Sequence, residues 1–192
     1  VDIGCGPMGS LEWLPRNVNT LCVDQLANKY VELNGRHGPR SHHQFYVQSA
    51  VESMPLASRS IDIVTSTNNF DHVDDVDLGF KEVHRVLRPG GFFHLIVEVR
   101  PWPQKCEPQM IPWDLSKRLR DLDFSIVYER HIEGWSVSHA AAVFTTEDGK
   151  SPAPDFDHSN RRKRGGWLVI RAKKRGQRPR NGEKAMRDTV TA

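Results

Sequence analysis

The sequence predicts an α/β fold in which an open sheet of strands carries helices on both of its faces. Short runs rich in β-branched residues alternate with helical segments, as where residues 61–65 are followed by residues 76–87. The second segment has apolar residues three or four positions apart, the spacing of one helical face. A chain of 192 residues, 38% of them hydrophobic and 27% charged, is long enough for one such domain and a tail.

The N-terminal half contains four predicted strands and two predicted helices. The strands cover residues 1–3, 20–23, 44–47 and 61–65. The helices cover residues 9–14, stopped by Pro15, and residues 27–34, with Gly35 as the C-cap. Because a strand usually runs about 5–6 residues, residues 1–3 read as the end of one, and we expect the chain to be truncated at its N-terminus.

The C-terminal half continues the alternation and then departs from it. Predicted helices cover residues 76–87, ended by Pro-Gly-Gly, and 114–122; predicted strands cover residues 92–99, 124–128 and 167–171. We expect one domain over residues 1–171, with a long loop at about residues 131–164. Residues 172–192 lack apolar periodicity and are expected to form a basic, disordered tail.

The charge distribution, the apolar runs and the cysteines indicate in which compartment the protein is expected. The net charge of +3 arises from residues 171–192, which hold eight Lys/Arg and two Asp/Glu, so the remaining residues sum to −3. No apolar run approaches the ~20 residues that span a bilayer. Three scattered cysteines form neither a disulfide framework nor a zinc spacing. We therefore expect a cytoplasmic protein without a membrane span, and either a monomer or a homodimer.

A glycine-rich turn follows the first strand. Gly4, Gly6 and Gly9 form a G-x-G-x-x-G pattern, in which glycine permits a tight turn and close approach of a ligand to the backbone. The pattern alone fits either a dinucleotide or an adenosyl ligand. Asp2, two residues before the first glycine, favours the adenosyl ligand, because its carboxylate would attract a ligand amine and repel a pyrophosphate. Asp24 lies about 20 residues after Gly4, the spacing at which an acid reaches a ribose diol; the alternative is an exposed turn residue.

Six segments, taken in order, carry a family resemblance. They are residues 2–9, 22–24, 52–55, 60–64, 71–75 and 85–91. Together they resemble the class I S-adenosylmethionine-dependent methyltransferases, particularly the group that includes the ubiquinone and menaquinone biosynthesis enzymes. The resemblance covers about residues 1–99. It implies a Rossmann-like, mostly parallel sheet of seven strands, S-adenosylmethionine as the cofactor and methyl transfer as the activity.

The resemblance also assigns roles to individual residues. The cofactor-binding set that it implies is Asp2, Gly4, Cys5, Gly6, Asp24, Gln25, Val51, Glu52, Ser66, Thr67 and Asn68. Where relatives carry an acid that meets the adenine amine, this chain has Ala50. Adenine recognition is therefore expected from backbone groups or from Glu52. Residues 85–91 are expected to have a structural role only.

The acceptor side is expected to draw on residues beyond the fourth strand. Asp71 and His72 lie near the expected methyl position, where a protonated acceptor would need a base; the alternative is that both residues only orient the next helix. Further candidates are Trp102, Trp113, Trp135, Glu107 and His131, although the tryptophans also suit an apolar core. We expect no metal site, because the His42-His43 pair has no third ligand at useful spacing.

The function expected from these features is methyl transfer to a small-molecule acceptor. One alternative is a nucleic-acid or protein methyltransferase that uses the basic loop and tail. Against it, residues 66–70 read Ser-Thr-Asn-Asn-Phe rather than the Asn/Asp-Pro-Pro-aromatic signature of enzymes that methylate base amines. A non-catalytic binding module is a further alternative, and an NAD-dependent oxidoreductase is disfavoured by Asp2 and by residues 85–91.

Overall fold

The chain forms seven strands and three α-helices within the residues that the computed structural model describes, which are 1–11, 14–15, 18–37, 44–100, 102–133 and 165–176. The strands are β1 (Asp2–Ile3), β2 (Thr20–Asp24), β3 (Gln44–Gln48), β4 (Ile61–Thr67), β5 (Leu87–Val99), β6 (Phe124–Glu133) and β7 (Gly166–Lys174). The helices are α1 (Ala27–His37), α2 (Val76–Val86) and α3 (Ser116–Asp121). None of them is long and apolar enough to cross a membrane.

The strands form one sheet in the order β3-β2-β1-β4-β5-β7-β6. Strands β1 to β5 pair in parallel, and β7 lies antiparallel between β5 and β6. This confirms the predicted seven-stranded, mostly parallel sheet. The order reverses at β1, which pairs with β2 on one side and β4 on the other. Open α/β sheets bind ligands in the crevice at such a switch point, beyond the carboxyl ends of the strands.

Helix α2 packs an apolar face onto the sheet. Its N-terminus is capped by Asp75, whose carboxylate accepts hydrogen bonds from the N–H groups of Asp77 and Leu78. Phe80 on this helix contacts Phe70 and Phe93, with ring centroids 4.7 and 6.1 Å away. Because Phe70 directly precedes Asp71, this aromatic cluster fixes the start of the loop that carries the predicted acceptor residues.

Three predicted helices differ from the structure. In the described part of residues 9–14 the chain makes turns instead of a helix, because Gly9 has a φ of +66° and Ser10 bonds to Asp2. Helix α1 continues to His37, so Gly35 lies within the helix and is not its C-cap. The helix expected at 114–122 shortens to α3, which follows a turn at residues 113–115.

The late strands are longer than predicted. β5 already begins at Leu87, so the Pro-Gly-Gly segment lies within a strand, and β6 extends to Glu133. β7 runs to Lys174, which places the expected boundary at residue 172 inside the sheet. Lys174 Nζ donates to the carbonyl of Leu87, the C-cap of α2, at 2.8 Å. A residue that was predicted to belong to the basic tail therefore stabilises the C-terminus of this helix. Residues 134–164 and 177–192 lie outside the described residues.

We expect Arg85→Ala to destabilise the fold without changing cofactor affinity. The Arg85 guanidinium binds Glu82 and donates to the carbonyls of Met54 and Leu56 at 3.0 and 2.8 Å. Losing these charge-assisted bonds should lower the free energy of unfolding by about 2–3 kcal/mol in urea titrations. The matched control is Arg88→Ala, because Arg88 and its partner Asp62 are exposed. Equal stability of the two variants would contradict the structural role of Arg85.

Candidate functional site

The glycine-rich turn leaves β1 with the backbone geometry that the sequence predicts. Gly4, Gly6 and Gly9 all have φ values between +63° and +66°, the left-handed region that glycine adopts at little cost. The Gly4 N–H donates to the Val23 carbonyl at 2.8 Å, which ties the turn to β2. A side-chain carbon at Gly4 would lie 2.2 Å from the Asn69 side chain, whereas nothing lies within 4 Å of the same position at Gly6. The backbone at Gly6 is therefore open to a ligand.

Asp24 joins the end of β2 to this turn. Its Oδ2 accepts the Gly6 N–H at 3.2 Å, and its Oδ1 accepts the Leu26 N–H at 2.8 Å. Each carboxylate oxygen keeps a further lone pair for a ligand hydroxyl. The carboxylate is half-buried and lines a cavity at the carboxyl ends of the strands.

Asp2 lies behind the turn and not in the cavity wall. Its Oδ2 accepts both the N–H and the hydroxyl of Ser10 at 2.8 Å, and its Oδ1 accepts the Thr65 hydroxyl at 2.8 Å. The side chain is buried, so the expectation that it faces a ligand amine does not fit this geometry. Asp2 instead holds the end of the turn against β4.

The cavity measures about 360 Å³, within the range of small-molecule sites. Six of the predicted cofactor-binding residues line it: Gly4, Gly6, Asp24, Gln25, Val51 and Asn68. Five do not: Asp2, Cys5, Glu52, Ser66 and Thr67. The lining residues include the ends of β1, β2 and β4, so the parallel register brings together positions more than 60 residues apart in the chain.

The residues that lie outside the wall have other partners or are buried. Glu52 Oε1 accepts the N–H groups of Asp74 and Asp75, so it fastens the loop before α2 instead of meeting an adenine. Cys5 is buried against Cys22, and the hydrogen bond with the Cys22 thiol together with burial raises the pKa of Cys5. Ser66 is fully buried on β4. Glu52, Cys5 and Ser66 therefore lie close in the chain to residues of the cavity wall without lining the cavity.

Sequence reasoning missed several lining residues. The missed residues are Ile3, Val23, Leu26, Tyr30, Ser49, Asn69 and Val73. His72 also lines the cavity, although the sequence predicted it for the acceptor side alone. Tyr30 lies on α1, four residues after Leu26, which directly precedes the helix. This i, i+4 spacing could have indicated that the two side chains face the same side. Asn69 fills the space beside Gly4, which only the folded chain brings near it.

Three predicted acceptor-side residues lie close together, and one of them, His72, lines the cavity. Asp71, His72 and Glu107 each place a polar side-chain atom within 4.8 Å of the others. His72 Nδ1 lies 2.6 Å from the Cys106 carbonyl oxygen. Asp71 is buried, and this burial raises the pKa of its carboxyl group, an effect that the adjacent His72 opposes.

The aromatic candidates are separated. Trp113 is 4% exposed, belongs to the apolar core and stacks on His131 at 5.3 Å between ring centroids, so the core interpretation fits it. Trp102 is 52% exposed. Trp135, His42 and His43 lie outside the described residues.

Comparison with known proteins connects this site to a family. Residues 1–95 match the family described as a methyltransferase domain. Over 92 residues the chain is 35% identical to a malonyl-[acyl-carrier protein] O-methyltransferase of Enterobacter lignolyticus, covering 47% of this chain and 35% of that protein. Over 109 residues it is 31% identical to a human thiol S-methyltransferase, covering 53% of this chain and 45% of that protein. The chain thus spans less than half the length of these relatives.

Solved structures share the fold over nearly the whole chain. An S-adenosylmethionine-dependent methyltransferase from Mesorhizobium loti aligns with a TM-score of 0.60 at 18% identity, covering 90% of this chain and 89% of that one. Geranyl diphosphate C-methyltransferase from Streptomyces coelicolor, in complex with Mg²⁺, geranyl diphosphate and S-adenosyl-L-homocysteine, aligns with a TM-score of 0.61 at 16% identity, covering 90% and 69%. Residues 1–95 therefore belong to the methyltransferase domain family, and the sheet of the described residues has the fold of the class I S-adenosylmethionine-dependent methyltransferases.

Proposed function

We propose that this chain transfers a methyl group from S-adenosylmethionine to a small-molecule acceptor. The observation that carries the proposal is the cavity at the switch point of the sheet, where the Asp24 carboxylate meets the open Gly6 backbone. The relatives named above, whose names specify malonyl-[acyl-carrier protein] and thiols, support an acceptor that is not a nucleic acid. They disfavour the alternative of a nucleic-acid methyltransferase.

The residues of the cavity fit the cofactor of this family. Asp24 is placed to accept hydrogen bonds from a ribose diol, and Gly6 leaves room for a ligand to approach its backbone. With Glu52 engaged elsewhere, the adenine would lie against backbone groups near Ser49 and Val51. The bound cofactor supplies a methyl group activated by a sulfonium. Asp2 acts as a positioning residue, because it fixes Ser10 at the far end of the glycine turn.

Asp71 and His72 form the proposed acceptor side. Because the Cys106 carbonyl can only accept a hydrogen bond, it holds the proton on His72 Nδ1 and leaves the Nε2 lone pair free to receive an acceptor proton. His72 also lines the cavity, so it can reach a molecule bound beside the cofactor. Holding the acceptor in line with the methyl group can supply about 7–11 kcal/mol of the barrier.

We also propose a cytoplasmic location, because Cys5, Cys22 and Cys106 are all free thiols. The domain would extend to the end of β7 at Lys174, with the basic tail after it. A monomer or a homodimer remains the expected assembly. Purified protein that contains an intramolecular disulfide under native conditions would contradict the proposed compartment.

The activity is tested by S-adenosylhomocysteine release from S-adenosylmethionine with panels of thiol, hydroxyl and carboxylate acceptors. Acceptor-dependent release is the expected result. Tight cofactor binding without S-adenosylhomocysteine release in the presence of any of these acceptors would favour the non-catalytic binding module. Transfer to RNA or to a protein, abolished by deleting residues 177–192, would favour the macromolecular alternative instead.

We expect His72→Ala to lower turnover by about 10²-fold while leaving the affinity for S-adenosylhomocysteine within about threefold of the original value. The reason is that His72 serves the acceptor, whereas Asp24 and the glycine turn hold the cofactor. Single-turnover kinetics and calorimetry on the same preparations separate the two effects. Equal turnover in both proteins would remove His72 from the mechanism.

A further inference from the structure

The acceptor-side cluster has the donor spacing of a metal site. Asp71, His72 and Glu107 come from two separate segments, and one donor atom of each lies within 4.8 Å of the others. Bonds from nitrogen or carboxylate oxygen to a first-row divalent cation measure about 2.0–2.2 Å, so two donors on opposite sides of an ion lie roughly 4 Å apart. The 4.8 Å limit slightly exceeds this separation, so the side chains must move closer together for one ion to contact all three.

The imidazole of His72 is oriented as in a metal ligand. Its Nδ1–H donates to the Cys106 carbonyl at 2.6 Å, which leaves Nε2 as the lone-pair nitrogen, 3.9 Å from Asp71 Oδ1. Metal-bound histidines generally donate their second ring N–H to a carbonyl or a carboxylate, which fixes the tautomer. Cys106 precedes Glu107, so one segment both orients His72 and supplies the third donor.

Asp71 gives an independent indication that the cluster takes a ligand. The residue is 2% exposed, and neither of its carboxylate oxygens has a hydrogen-bond partner in the part of the chain that the structure describes. An unpaired buried carboxylate is costly, because burial removes its hydration without a replacement. A cation between Asp71 and His72 Nε2 would supply the missing interaction.

The surrounding charges leave room for a divalent ion. Arg100 lies 2.7 Å from Glu98 Oε2 and 2.9 Å from Glu107 Oε2, so its single positive charge is shared by two carboxylates. With Asp71 ionised and His72 neutral, Asp71, Glu98, Glu107 and Arg100 together carry a formal charge of −2; these are the charged partners that the described part of the chain gives for this cluster. A doubly charged cation would balance this charge.

We propose that Asp71, His72 and Glu107 bind one divalent transition-metal ion at the acceptor side of the cavity. One imidazole nitrogen and two carboxylate oxygens suit Mn²⁺, Fe²⁺, Co²⁺ or Zn²⁺ better than Ca²⁺ or Mg²⁺, which prefer oxygen-only sets. The ion reaches the cluster through the cavity, because His72 is 38% exposed and lines it. The inference rests on the proposed function. In the loaded protein His72 Nε2 would bind the ion and would no longer receive the acceptor proton, and the ion would hold an acceptor through an oxygen or sulfur atom.

The test is calorimetric titration of the chelator-treated chain with Mn²⁺, Co²⁺ and Zn²⁺. The chain should bind one equivalent, and Asp71→Asn and Glu107→Gln should each weaken binding at least tenfold. Glu107→Gln is the safer variant, because Glu107 is less buried than Asp71. The matched control Asp62→Asn removes an exposed acid that pairs with Arg88 on the sheet, and it should bind the ions as the original chain does. Cobalt absorbance in the visible range reports whether nitrogen and oxygen donors surround the ion.

Two results would overturn the proposal: no saturable one-equivalent binding to the original chain, or equal affinities in the original chain, Asp71→Asn and Glu107→Gln. The second result would locate any bound ion elsewhere. Titration with S-adenosylhomocysteine in the same buffers separates this proposal from the proposed function. Cofactor binding without metal binding rejects the metal site alone, and metal binding without cofactor binding rejects the methyltransferase function alone.

Discussion

Replacing Asp24 with alanine should weaken the binding of S-adenosylhomocysteine by about 10–100-fold. The carboxylate is expected to bind the ribose diol through charge-assisted hydrogen bonds, and a net loss of about 1.5–3 kcal/mol on their removal corresponds to this factor. The structure adds a second cause. Asp24 also accepts the N–H groups of Gly6 and Leu26, so its loss releases the glycine turn and the start of α1 at the same time.

Two further variants separate these causes. Asp24→Asn keeps the side-chain volume and one oxygen, which can accept the Leu26 N–H, but its NH2 group cannot accept the Gly6 N–H. It should therefore lose less stability than Asp24→Ala and still lose most of the affinity. Asp62→Ala removes an exposed acid on β4 and should leave the affinity unchanged. Calorimetry that gave the same dissociation constant for Asp24→Ala and the original chain would refute the assignment of Asp24.

The largest stability loss in the glycine turn should follow from Gly4→Ala, at about 2–5 kcal/mol. A φ of +64° costs an alanine about 1–2 kcal/mol, and overpacking adds about 1–3 kcal/mol. The overpacking is unavoidable because the new carbon would lie 2.2–2.4 Å from Cβ, Cγ and Oδ1 of Asn69, and not only from the flexible end of that side chain.

Gly6→Ala is the matched control for this effect. Gly6 has a φ of +63°, almost the same value, but nothing lies within 4 Å of the added carbon. Its loss of stability should therefore be limited to the backbone cost of about 1–2 kcal/mol. The added methyl group would instead enter the cavity and weaken cofactor binding. Urea unfolding midpoints that are equal for the two variants would contradict the packing of Asn69 against Gly4.

The sequence predicts the sheet well where periodicity and turns agree. Residues 61–65 are rich in β-branched residues and residues 76–87 have helical spacing, so β4 and α2 were predictable in type and position. Residues 9–14 were predicted incorrectly because their local pattern suits a helix, while the long-range bond from Ser10 to the buried Asp2 imposes a turn. The end of β7 was missed because Lys173 and Lys174 resemble a solvated tail until Lys174 reaches the end of α2.

The part of the site that depends on residues close together in the sequence was predictable. The glycine pattern and Asp24 follow from spacing alone, and the structure places Gly4, Gly6 and Asp24 in the cavity wall. The direction of the Asp2 and Glu52 carboxylates was not predictable, because their partners are backbone and hydroxyl groups supplied by other segments. The closeness of Glu107 to Asp71 depends on the path of the chain after β5, which no local pattern encodes.

The most direct test of cofactor recognition is a thermal unfolding experiment on the original chain with S-adenosylhomocysteine and, separately, with NADH. At about 100 times its dissociation constant, a ligand that binds only the folded state adds about 2.7 kcal/mol, which corresponds to roughly 5–10 °C for a domain of this size. We expect this increase with S-adenosylhomocysteine and no change with NADH. An increase with NADH, or none with S-adenosylhomocysteine, would contradict the assignment of the cavity to S-adenosylmethionine.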